Sequence, residues 1–129
     1  MLPSRLIKEE SSKIMKLPRN REAIVPVEKI TGYLLSMTHP IGKAKAKYFR
    51  KLGYREKNVV QLKEALAAIA VTNEVTEVIA TSFGMKYVVD GELATTTGIS
   101  VRVRTVWILE TGDDIPRFVT AYPIERVGE

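Results

Sequence analysis

The chain changes period near its middle: apolar residues recur at helical spacing up to about residue 70 and then alternate with polar ones to the C-terminus. After Pro26, Val27, Ile30, Tyr33 and Leu34 predict a short first helix that ends near Ser36, preceded by Ala23-Ile24-Val25 as a short strand. Pro40 suits the first position of a second helix, which makes His39 its N-cap. Ile41, Ala44, Tyr48 and Leu52 fall on one stripe of this helix, Lys43, Lys47 and Arg50 on another, and Gly53 stops it. Asn58 opens a third helix, with Gln61 three residues on in an arrangement similar to a capping box. Leu62, Leu66, Ile69 and Ala70 form its apolar side.

Alternation then predicts four strands: one over Val75 to Thr81, one over Met85 to Asp90, a long one over Ile99 to Glu110, and a last one over Arg117 to Ile124. Gly84, Thr97-Gly98 and Gly112-Asp113-Asp114 supply the turns. Short links between consecutive strands imply an antiparallel meander. The expected fold is therefore α+β, with N-terminal helices packed on one face of a four-stranded antiparallel sheet. In the long strand Ile99, Val101, Val103, Thr105, Trp107 and Leu109 point to one face, and Ser100, Arg102, Arg104, Val106 and Ile108 to the other. Residues 1–15 show no clear period and read as a loosely attached lead-in to a single domain over 16–129.

Composition narrows the function classes. The chain has 129 residues and no cysteine, which excludes disulfides, thiolate metal sites and thiol nucleophiles. No apolar run approaches the roughly 20 residues that span a bilayer, and the first residues lack a signal-peptide core, so a cytoplasmic location is the default. A domain delivered into another cell as part of a longer toxin would share that signature. The net charge of +5 is unevenly placed: residues 1–57 hold 14 Lys/Arg against 5 Asp/Glu, and residues 58–129 hold 6 against 10. Such a basic half attracts phosphates or an acidic protein partner.

The candidate chemistry follows this charge. His39 is the only histidine, and at a helix N-terminus its neutral form is favoured, which suits a general base; capping alone would also explain it. Lys43, one turn into the helix, is placed to stabilise a phosphoryl transition state, with Lys45 and Lys47 guiding an anionic substrate or simply solvating the helix. On the long strand, Arg104 offers a second cation and Arg102 a further one. Thr105 and Trp107 share a face, where a hydroxyl and an indole would hold a phosphate oxygen and stack on a base, or else anchor the core. Thr120 and Tyr122 on the last strand are candidates to join them. No phosphate-binding glycine loop and no metal-ligand cluster is present in the sequence, and no cofactor is called for.

Lys16-Leu17-Pro18, His39-Pro40 with Gly42, Phe49 and Gly53, Trp107-Ile108, and Pro116-Arg117 with Thr120 and Tyr122 resemble a bacterial family of small proteins of unknown function over most of residues 16–124. That family more loosely resembles the metal-independent ribonucleases of the barnase, EndoU, colicin and RelE-like group, with the colicin D tRNA nuclease the nearest analogue. This resemblance implies a toxin-type endoribonuclease, with His39, Lys43 and the Thr105-x-Trp107 pair at the matching positions. Joined to the reading of the residues themselves, it gives His39, Lys43, Arg104 and Thr105 as expected catalytic residues and Lys45, Lys47, Arg102, Trp107 and Tyr122 as expected substrate contacts. It also implies RNA and a small antitoxin or immunity protein as partners. The departure from that pattern is the lack of a second histidine to act as acid. A non-catalytic module that binds RNA or protein through the same basic helix is the alternative.

Overall fold

The computed structural model describes residues 15–36, 38 and 43–124, with only the backbone at Lys43 and Ala44. Four strands, β1 (Val75–Thr81), β2 (Gly84–Ala94), β3 (Ser100–Glu110) and β4 (Arg117–Pro123), form one antiparallel sheet in the order of the chain. Helices precede it: α1, a turn of α-helix at Val27–Lys29 that runs on as π-helix Ile30–Leu34; α2 (Lys43–Lys51); and α3 (Val59–Thr72). The α+β meander expected from the alternation is therefore the fold. None of the described helices is long and apolar enough to cross a membrane.

β2 continues four residues past the alternation that predicted it, through Gly91 to Ala94. Glycine has low strand propensity, which hides this extension in the sequence. The fold needs glycine there because α3 crosses closely: a β-carbon at 91 would lie 2.6 Å from Asn73 Nδ2 and 2.9 Å from Ile69 Cγ2. From α3 the core receives Leu62, Leu66, Ile69 and Ala70, the stripe read from the sequence. Asn58 precedes α3 but works backwards, its side-chain oxygen accepting the Arg55 amide at 3.0 Å while its amide nitrogen donates to Gln61 Oε1 at 2.9 Å.

In α2 the described part of the buried stripe differs from expectation, while Ile41 and the side chain of Ala44 lie outside the described residues. Ala46 and Phe49 are fully buried, whereas Tyr48 and Leu52 stay half-exposed. Phenylalanine has no polar atom to hydrate, while the Tyr48 hydroxyl favours the rim. Gly53, at φ 100°, ends the helix in the left-handed region as anticipated. Arg50 ties α2 to the end of α1, its Nη2 and Nε donating to the Leu35 carbonyl at 2.7 and 3.0 Å.

The Ala23–Val25 strand is reduced to one parallel bridge, Ile24 with Arg117, on the outer edge of β4. Beside it a register shift decides which β4 residues face the helices. Val106 pairs with Thr120 but Trp107 pairs with Phe118, leaving Val119 as an extra residue. This bulge lets Phe118 enter the core, where its ring lies edge-on to Trp107 at 5.4 Å, while Thr120 and Tyr122 remain on the opposite face with Arg104.

Candidate functional site

The face of β3 and β4 turned away from Trp107 carries a polar cluster. Register places Asp90, Arg104 and Tyr122 side by side across β2, β3 and β4. Arg104 Nε and Nη2 donate to the two Asp90 carboxylate oxygens at 2.8 and 2.9 Å, a bidentate pair. The Asp90 side chain is 8% exposed and that of Arg104 36%, so the pair buries its acid and shows its base. The hydrogen bond to Asp90, and with it Tyr122, pushes the guanidinium even further above its usual range, against desolvation. One pair along, Arg102 lies 3.8 Å from Glu92 in a more exposed and weaker contact.

Helices α1 and α2 bring a second group of side chains to the same face. Tyr33 of α1 and Thr120 of β4 share a hydrogen bond at 3.2 Å between their hydroxyls. Lys45 of α2 places its ammonium 5.7 Å from the centre of the Tyr33 ring and 6.0 Å from that of Tyr122, and Lys29 lies 5.4 Å from Tyr33. These are cation–π distances. Burial alone would push the Tyr33 phenol up; hydrogen bonding to Thr120 and Lys45 and the charges of Lys45 and Lys29 outweigh it, so the phenol is held below its ordinary value. Tyr48 and Tyr54, by contrast, are pushed up by burial.

The residues expected from the sequence are thus divided. Lys45, Arg104 and Tyr122 come together on one face. Lys47 is exposed and lies about 200° around α2 from Lys45, so it is directed elsewhere. Arg102 shares the face but is engaged with Glu92. His39 lies outside the described residues, and so does the side chain of Lys43.

Thr105 and Trp107 require a correction. Both are 0% exposed. The Trp107 Nε1 donates to Thr105 Oγ1 at 2.8 Å, and Thr105 Oγ1 donates to the Val89 carbonyl at 2.7 Å. The indole has no free face for a base and the hydroxyl has no proton left for a phosphate. Their alternation with Val103 and Leu109 was the signal for a core role, and the helices above them make it so.

Three members of the cluster were missed as site residues: Tyr33, Lys29 and Asp90. Tyr33 falls on the apolar stripe of α1, where an aromatic reads as core. Asp90 closed the predicted second strand, and only the β2–β3 register reveals that it faces Arg104.

What this architecture defines is a small α+β domain whose helices cover one face of a meander sheet and deliver cationic and phenolic side chains to the other. A family model described as "Domain of unknown function (DUF6883)" matches residues 16–125, and the chain belongs to that family. A chain in the solved structure of a contact-dependent growth inhibition toxin–immunity protein complex from Klebsiella pneumoniae 342 has a similar fold, with a TM-score of 0.64 and 14% sequence identity. The match covers 83% of this chain and 97% of that one. At this identity the likeness is one of fold. No curated protein matches the chain by sequence.

Proposed function

We propose that this domain is a metal-independent endoribonuclease of toxin type, restrained by a small immunity protein. One observation carries the reading: the Lys45 ammonium stands over both Tyr33 and Tyr122 beside Arg104, so the basic N-terminal half and the sheet converge on one half-exposed polar face. The fold shared with a chain of a toxin–immunity complex agrees with it. Cleavage of RNA without a metal needs a base for the ribose 2′-hydroxyl, cations for the charge that grows on the phosphoryl oxygens, and groups that hold the strand. His39 is the proposed base. Lys45, with Lys43, supplies cations for that charge. Arg104, already anchored by Asp90, contributes a fixed guanidinium edge and orients Tyr122, while Lys47 and Arg102 act at longer range on the RNA backbone.

The test is expression of the wild-type chain, His39→Ala and Lys45→Ala in cells, followed by growth curves and gels of total RNA. Growth arrest with discrete RNA cleavage by the wild type, lost in His39→Ala and strongly reduced in Lys45→Ala, is the expected result. Intact RNA with equal growth in all three overturns it. The second reading, a non-catalytic module binding RNA or protein, is favoured by the burial of Thr105 and Trp107, which leaves fewer groups for chemistry. It predicts RNA retention by the wild type without cleavage and an unchanged affinity in His39→Ala.

A further inference from the structure

Transfer of the phosphoryl group from O5′ to O2′ in RNA requires two proton movements: one off the 2′-hydroxyl and one onto the departing 5′-oxygen. The chain holds a single histidine. Resting on the ribonuclease reading above, we infer that Tyr33 is the general acid of this site, donating its phenolic proton to the leaving 5′-oxygen.

Three features of the site point to Tyr33. It is half-buried, packed against the edge of the core. Its hydroxyl is held by Thr120 at 3.2 Å, which fixes its direction on β4. Two ammonium groups, Lys29 at 5.4 Å and Lys45 at 5.7 Å from the ring centre, would stabilise the phenolate that remains after donation. Among the other phenols, the Tyr54 hydroxyl donates to the Ala94 carbonyl, Tyr87 is buried, and Tyr122 lies opposite Arg104 with Lys45 over its ring. The downward displacement of the Tyr33 phenol agrees, since an acid works best when its conjugate base is near reach at the operating pH.

The step balances as follows. The 2′-oxygen forms its bond to phosphorus while its proton passes to the base, His39 in the proposal. The bond between phosphorus and O5′ breaks with its electron pair on O5′, and the Tyr33 proton joins that oxygen. The products are a 2′,3′-cyclic phosphate and a 5′-hydroxyl end. The Tyr33 phenolate, beneath Lys29 and Lys45, regains a proton from water.

The experiment compares wild type and Tyr33→Phe on two versions of one RNA that the wild type cleaves. One is natural; the other carries sulfur in place of the bridging 5′-oxygen at the scissile bond, so that the leaving thiolate needs no proton. Tyr33→Phe should slow cleavage of the oxygen RNA by about 10²–10³-fold and cleave the sulfur RNA at close to the wild-type rate. The ratio of the two rates within the one variant is independent of how much of it is folded. An equal fall on both RNAs, or no fall on the oxygen RNA, overturns the acid role and leaves the ribonuclease reading intact. If the wild type cleaves no RNA, both readings are overturned.

Discussion

Trp107 and Thr105, two residues apart on β3, are joined to each other rather than to a ligand: the indole Nε1 donates to the Thr105 hydroxyl at 2.8 Å, and that hydroxyl donates to the Val89 carbonyl at 2.7 Å. Both side chains are buried, so each partner depends on the other to offset its desolvation. Thr105→Val keeps the shape and leaves Trp107 Nε1 and the Val89 oxygen without that hydroxyl. A loss of about 1–3 kcal/mol is expected in urea unfolding. Thr105→Ser, which keeps the hydroxyl and removes a methyl, should lose about 1 kcal/mol. RNA cleavage per folded molecule should be unchanged in both.

The Asp90–Arg104 pair predicts an asymmetry. Arg104→Ala removes the guanidinium from a carboxylate that is only 8% exposed, whereas Asp90→Ala leaves a guanidinium that is 36% exposed and can hydrate. Arg104→Ala should therefore cost more, about 2–4 kcal/mol against about 1–2 kcal/mol. In a double-mutant cycle the combined variant should lose less than the sum. The raised guanidinium places the stability from Arg104 below the ordinary arginine range, to be lost only as pH climbs through the still higher folded value. Arg104 consequently adds no pH dependence across the range where tyrosines titrate.

Alkaline titration followed by phenolate absorbance should separate the tyrosines. Tyr33, held below the ordinary phenol value, titrates before Tyr48 and Tyr54, which burial raises. Tyr33→Phe should delete this early step, and Lys45→Ala should move it upward by removing a hydrogen bond and a charge. The signs for stability are opposite. The Tyr33 contribution is present above the unfolded phenol value and is lost as pH falls through its lower folded value. Tyr48 and Tyr54 hold their protons longer folded than unfolded, so their contributions weaken as pH rises through the unfolded value.

Gly91→Ala tests the approach of α3 to β2. The added methyl would lie 2.6 Å from Asn73 Nδ2 and 2.9 Å from Ile69 Cγ2, inside normal contact distance. Overpacking of about 1–3 kcal/mol is expected in urea unfolding, with a larger loss for Gly91→Val.

Lys45 and Lys47 should differ although they are two residues apart. Lys45→Ala removes a cation from the cluster and should reduce both cleavage and affinity, while Lys47→Ala should mainly weaken association at low salt. Measured against the logarithm of salt concentration, the loss of a lysine that contacts single-stranded RNA phosphate lowers the binding slope by about 0.7. A normal slope and normal cleavage in Lys45→Ala would separate it from the substrate.

The fold was legible because it rests on period. Leu62, Leu66, Ile69 and Ala70 repeat at helical spacing, and Val101 to Leu109 alternate, so the element type and the buried face follow from local geometry alone. The unequal charge of the two halves and the candidacy of Lys45, Arg104 and Tyr122 are equally properties of the chain as written. What neighbours what is not. The bulge at Val119 sends Phe118 to the core and keeps Thr120 and Tyr122 on the other face, the β2–β3 register sets Asp90 against Arg104, and helix packing encloses Thr105 and Trp107 while bringing Tyr33 to Lys45. Each of these is a contact between residues distant in sequence, fixed by register and close packing, and no local propensity encodes it.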